Sequence, residues 1–198
     1  MNGWGAVSAS ADAGGTVTID VPVGPTYHTI WLTGNAGTAK KLTDLTGDIR
    51  NKINGKVQRI HTADELNLLN QAHGAQYAAK NAGTAAALFV LPIFLAEPWR
   101  KNLAAREGLA WGTGDVSTFQ IEVDIKDSTF TSPVALSAKA EIDDGPARPL
   151  GVITKVFATN IPVASGWNDF TQFPKRDNYA QISIADANLA EFEVKVNN

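Results

Sequence analysis

The stretch from Asp48 to Gly74, DIRNKINGKVQRIHTADELNLLNQAHG, leaves this chain little freedom in how it folds. Asn54-Gly55 stands between two apolar-patterned segments. Both central residues of a type I′ turn need positive φ, and Asn-Gly is the pair that tolerates this best. Ile49 and Ile53 lie on one face of the first predicted strand, and Val57 and Ile60 are the apolar anchors of the second. Thr62-Ala63-Asp64-Glu65 then matches a capping box, in which the Thr62 hydroxyl accepts from the Glu65 amide and the Glu65 carboxylate accepts from the Thr62 amide. Leu66 and Leu69 recur on one face of the predicted helix, and Gly74 supplies a stop. This is scaffold, and none of it needs reactive chemistry to explain it.

The rest of the chain is read by its periodicity. Val17, Ile19 and Val21 alternate in a half-buried strand that Pro22 and Gly24-Pro25 break, and Tyr27 to Leu32 resumes as a second strand. Gly34 to Gly47 is loop-like in composition. Gln71 to Ala87, rich in Ala, Gln and Asn, could extend the helix before Gly83 ends it. Leu88 to Leu95 reads as a strongly apolar strand, and Lys101 to Leu109 as a short helical or irregular piece. Phe119, Ile121, Val123 and Ile125 alternate against Gln120, Glu122 and Asp124, and Val134, Leu136, Ala138 and Ala140 share one face of a further strand. Asp143-Asp144-Gly145-Pro146 is a turn cluster. Strands dominate, one capped helix interrupts them, and no β-α-β rhythm appears. The pattern is that of a mainly β chain, an antiparallel β-sandwich.

Composition narrows the classes. At 198 residues the chain can bury a substantial core. A formal net charge of −3 with scattered Lys and Arg gives no basic stripe, so direct nucleic-acid binding is not expected. The absence of cysteine removes disulfides, thiolate catalysis and Cys-based zinc sites, and fits a cytosolic folding environment. The N-terminal residues 1–15, MNGWGAVSASADAGG, have neither the charged nor the apolar region of a signal peptide and read as a mobile small-residue arm. The longest apolar run, Ala85 to Ala96 broken by Pro92, falls well short of the roughly 20 residues a membrane span needs.

After Pro149 the sequence starts again. Ile161-Pro162-Val163 echoes Val21-Pro22-Val23, and Glu191 to Asn197 echoes Asp48 to Asn54, both at an offset of about 140 residues. Two matches in the same order suggest an internal duplication. Residues 16–149 then form a first domain with a helix inserted near 62–74, and residues 150–198 begin a second. A partial sandwich would leave unpaired strand edges, so the natural chain is expected to continue past Asn198.

Reactive groups are sparse. His28, His61 and His73 fall in no metal-binding spacing and read as structural or surface residues. No G-x-S-x-G elbow exists, and Gly34-Asn35-Ala36-Gly37 and Gly112-Thr113-Gly114 lack the GK[ST] ending of a phosphate loop, so loop flexibility explains both. Asp124, Asp127, Glu141, Asp143 and Asp144 could gather at one end of the sandwich and offer oxygen ligands to Ca²⁺, but a solvated acidic rim explains them as well. Trp4, Trp31, Trp99, Trp111 and Trp167 show no spacing for a sugar-stacking platform, and packing is the better account. No catalytic, cofactor-binding or metal-binding residue is assigned.

Several segments together nevertheless form a recognisable series. They are Val21-Pro22-Val23-Gly24-Pro25-Thr26-Tyr27-His28, Ile49 to Val57, Asp64-Glu65-Leu66 leading to Asn70, and Leu91-Pro92-Ile93-Phe94. Leu109 to Val116, Ile121 to Ile125 and Ala147-Arg148-Pro149-Leu150-Gly151 continue it. Over residues 16–156 the chain resembles the major capsid protein of corticovirus-type tailless phages, within the adenovirus-like double jelly-roll lineage. The resemblance implies two stacked eight-stranded jelly rolls, the second incomplete in this chain. It implies homotrimers that meet neighbouring capsomers in an icosahedral virion shell around an internal membrane, alongside vertex and membrane proteins. It also implies synthesis in the host cytoplasm and no enzymatic activity. Two other readings stand beside it. A carbohydrate- or receptor-binding sandwich would need several aromatic residues on one exposed face. A jelly-roll enzyme such as a cupin or glycosidase would need a histidine-rich metal set or a placed carboxylate pair, and the histidines do not supply the former.

Overall fold

The computed structural model describes residues 2–35, 46–74, 88–126, 134–143 and 145–156, with isolated positions 166, 181, 182 and 184. The described strands are β1 (Asn2–Ala11), β2 (Thr16–Val21), β3 (Thr26–Asn35), β4 (Thr46–Ile53), β5 (Lys56–Thr62), β6 (Leu88–Phe94), β7 (Trp111–Gly112), β8 (Phe119–Ile125) and β9 (Val134–Asp143). Two described helices, α1 (Ala63–Ala72) and α2 (Leu103–Glu107), lie between them.

The strands form two antiparallel sheets. One runs β1-β9-β3-β6 with β7 pairing the start of β3, and the other runs β2-β8-β4-β5. Neighbours in each sheet are mostly distant in sequence, with first beside last, second beside eighth and third beside sixth. That interleaving of two Greek keys is a jelly roll. The core lies between the sheets. Val17, Ile19, Val21, Ile49, Ile53, Phe119, Ile121, Val123 and Ile125 come from one side, and Ile30, Leu32, Leu91, Ile93, Leu136, Ala138 and Ala140 from the other. The period-2 alternation seen in β2, β8 and β9 is therefore the alternation between core and outer face.

The hairpin and its helix form as the local signals require. Asn54 has φ 49° and Gly55 φ 74°. Asn54 Oδ1 also accepts from the amides of Ser117 (2.8 Å) and Thr118 (3.1 Å), which ties the turn to the loop before β8. At the head of α1, the Glu65 amide donates to Thr62 Oγ1 (3.2 Å) and the Thr62 amide donates to Glu65 Oε2 (2.8 Å). The helix packs on β4, β5 and β6. Its buried Asn70 donates to the Pro92 carbonyl (3.0 Å). Pro92 is tolerated because β6 is an edge strand, where a missing amide costs no ladder bond.

The structure departs from the sequence reading in three places. First, residues 1–15 are not a free arm. Asn2–Ala11 pairs along β9, and Val7, Ala9 and Ala11 pack partly buried against the core. Its Ala, Ser and Gly residues have weak strand propensity, and the ladder with β9 overrides them. Second, Val57 and Ile60 are not core anchors: Val57 is 45% exposed and Ile60 half-buried. The register passes from Asn51↔Arg59 to Lys52↔Val57, so β5 carries one extra residue, Gln58. This bulge turns Val57 and Ile60 to the outer face beside Lys52 and Arg50, and turns Arg59 and His61 inward. Third, the helix does not run on from Gln71 toward Gly83: it ends at Ala72, and Gly74, at φ 77°, supplies the stop read from the sequence.

Residues 1–159 and 160–198 are separate compact units. The proposed extension of the helix through residues 75–87 and most of the Gly34 to Gly47 loop lie outside the described residues. So do the repeat segments 161–163 and 191–197 and much of the proposed second domain.

Candidate functional site

The most constructed part of the first unit is the end of the sandwich that residues 147–156 cross. β7 brings Trp111, fully buried, beneath the end of the sandwich, where its ring centroid lies 5.6 Å from that of Phe119. Tyr27 meets the same Phe119 edge-on at 5.4 Å, and its hydroxyl donates to the Pro22 carbonyl at 2.5 Å. Burial pushes the Tyr27 phenol up to about 12. Residues 147–156 cross this end as a strap. The Gly114 amide donates to the Arg148 carbonyl (2.8 Å), the Leu150 amide to Asp115 Oδ1 (2.7 Å), and the Val156 amide to the Gln58 carbonyl (3.2 Å). Leu150 and Ile153 pack on the core from above.

The Trp-Gly-Thr-Gly run is explained by this strap. A Cβ on Gly112 would stand 2.3 Å from the Pro149 oxygen and 2.6 Å from the Arg148 oxygen, and one on Gly114 would stand 2.9 Å from the Arg148 oxygen. These glycines therefore make room for a neighbouring backbone, and the loop-flexibility reading is corrected. Thr113 completes the seat, donating from Oγ1 to the Pro25 carbonyl (2.6 Å) and accepting from the Gly24 amide (2.8 Å).

Arg59 lies beneath the strap. Its Nε donates to the Thr154 carbonyl (2.8 Å) and its Nη1 to the Phe94 carbonyl (2.6 Å), with the guanidinium carbon 5.2 Å from the Trp111 ring centre. Burial lowers its pKa to about 10, partly offset by the charge of Glu97. His61 on the same strand is held down to about 4, first by burial and then by the Arg59 charge. Sequence reasoning missed this group. Its one sequence signal is a Gln-Arg pair inside a strand pattern, where a bulge can turn a polar side chain inward.

The two outer flanks differ in character. On the β2-β8-β4-β5 sheet, Arg50 forks onto Asp124 and reaches Glu122 at 3.3 Å, while Lys52 reaches Glu122 at 2.6 Å. Thr16 Oγ1 donates to Asp124 at 2.8 Å. The Arg50 bonds hold the Asp124 carboxyl below its ordinary range, and Lys52 first and Arg50 second do the same for Glu122. On the other sheet, Trp31, Phe94, Trp99 and His73 form a half-buried aromatic ridge. Phe94 stands edge-on to Trp31 (6.4 Å) and Trp99 (5.7 Å), and His73 stacks flat on Trp99 at 4.2 Å. The rings pack on one another and present no open row of faces, so they do not form a sugar platform.

Of the acidic residues weighed for Ca²⁺, the described ones are not brought together as a set. Asp124 is on β8 within the Arg50 network, whereas Glu141 and Asp143 are on β9. Asp143 Oδ1 lies 3.2 Å from His28 Nε2, close enough for an ion pair with a protonated ring but without hydrogen-bond geometry. Arg148 approaches the other Asp143 oxygen at 3.9 Å. Asp127, Asp144 and Trp167, with the Trp4 side chain, lie outside the described residues. Among the described residues no three His, Asp or Glu side chains cluster as metal ligands, and no helix is long and apolar enough to cross a membrane.

A five-stranded and a four-stranded antiparallel sheet in jelly-roll order define the sandwich class that builds viral capsids as well as lectins and cupins. Residues 8–143 match the family model of the viral coat protein P2 N-terminal domain, and the chain belongs to that family. The matched region begins within β1, the strand read from sequence as an arm. The chain shares its fold with the major capsid protein P2 from Bacteriophage PM2, at 21% identity and a TM-score of 0.51, over 71% of this chain and 52% of that one. The STIV MCP gives 14% identity and a TM-score of 0.46 over 68% and 45% of the two chains. This chain thus spans about half the length of the PM2 protein it matches. No curated protein matches it.

Proposed function

We propose that this chain is a major capsid protein whose role is structural: it self-associates into the shell of a virion. The observation that carries the reading is the match of residues 8–143 to the coat-protein family, over a chain segment whose strand order is that of a jelly roll. Its place is the capsid shell. A flank closed by its own ion pairs and a core filled by aliphatic side chains suit a rigid building block, in which shape and self-contact do the work.

The finer readings rest on the family resemblance. They are trimers of pseudo-hexagonal outline, a second jelly roll beginning after Pro149, and an icosahedral shell enclosing a membrane, with vertex and membrane proteins as neighbours. The protein acts without catalysis and without a cofactor. In support, two of the carboxylates weighed for Ca²⁺ face cationic or polar neighbours: Asp124 is engaged by Arg50 and Thr16, and Asp143 faces His28 and Arg148.

Light scattering on protein from its native source, with denatured mass on the same sample, tests this. A native particle of three chains, with a denatured mass above 21.0 kDa, is the expected result. A monomer of 21.0 kDa that never associates on concentration would overturn it.

A further inference from the structure

We infer that Arg59 is a latch: it fixes the strap of residues 148–156 across the end of the first unit. Three bodies meet at its guanidinium. The Phe94 carbonyl ends β6 in one sheet, Arg59 itself belongs to β5 in the other, and the Thr154 carbonyl belongs to the strap. The Trp111 face closes the fourth side at 5.2 Å. A planar fork can donate to two carbonyls in different directions while stacking on a ring, which an ammonium cannot do.

The side chain is almost entirely buried, and its Nε and Nη1 both donate to carbonyls. Burying a cation in that way costs desolvation, and a well-packed apolar residue would serve stability as well or better. What the cation adds is position. Two residues beyond Thr154, the Val156 amide lands on the Gln58 carbonyl, beginning to cover β5, the open edge of its sheet. The strap is therefore part of the first unit. The first unit thus continues past Pro149, where the sequence repeat begins.

Hydrogen exchange on the full chain tests the latch. Arg59→Lys keeps the charge and loses the fork. The amides of Leu150 and Val156 should then exchange at least about tenfold faster, while those of β8 keep their protection. Unchanged strap amides, or strap and β8 amides accelerating together, would overturn the assignment. Asp115→Ala provides a second test on an exposed residue should the first variant fail to fold. It should free the Leu150 amide while Val156 stays protected, because Arg59 still holds Thr154. Loss of Val156 protection in Asp115→Ala would mean that Arg59 does not hold the strap.

Discussion

The Arg59 guanidinium carbon lies over the Trp111 ring, 5.2 Å from its centre, although the two residues stand on a bulged edge strand and on a two-residue strand far along the chain. The next residue, Gly112, lies directly under the strap. A methyl group at Gly112 has only rigid backbone oxygens to meet. Gly112→Ala should therefore cost about 2 kcal/mol through overpacking, and should lift residues 148–150. Denaturant unfolding measures the first and hydrogen exchange the second. Wild-type values in both would show that the strap is not seated there.

Gly55 tests the hairpin. A Cβ at Gly55 has open space, so any cost of substitution is backbone strain at φ 74° alone. Gly55→Val should destabilise the protein by roughly 1–3 kcal/mol, because a β-branched residue resists positive φ. An unchanged thermal melt would rule out the type I′ turn.

Thr62→Ala removes the acceptor for the Glu65 amide and half of the capping box. The expected loss is about 1 kcal/mol. Thr62→Ser should recover most of it, since the hydroxyl is what caps the helix. Equal melting of Thr62→Ala and the parent would place the helix start elsewhere.

His61 gives the fold a pH dependence whose sign follows from its burial. Its pKa falls from 6.5 in the free side chain to about 4 in the folded protein. The unfolded chain therefore binds the proton first as pH drops. Above 6.5 the residue contributes no pH dependence, and stability declines progressively between 6.5 and about 4. The full decline is on the order of 3 kcal/mol. His61→Gln should shrink the difference in melting temperature between pH 7 and pH 5. An undiminished difference would assign the acid sensitivity to other groups.

The local elements were legible in the sequence because each is decided within a few residues. Asn54-Gly55 sets its own dihedrals, Thr62 and Glu65 reach one another across one helical turn, and Phe119 to Ile125 declares its buried face by alternation. The likeness to capsid proteins was legible for a related reason, since it rests on those segments taken in order. What tertiary structure alone decided is where distant segments meet. Residues 2–11 have little intrinsic preference for a strand and become one because β9 offers a ladder. Val57 and Arg59 exchange faces because a single bulge shifts the register, and apart from the Gln58-Arg59 pair nothing within β5 announces it. The strap is further still from sequence: Gly112 and Gly114 read as a flexible loop until Arg148 and Pro149 arrive above them. Turns, caps and alternation are short-range energies written in neighbouring residues. Strand order, register and the Arg59 latch arise from contacts between segments tens of residues apart, which exist only once the two sheets have closed on their core.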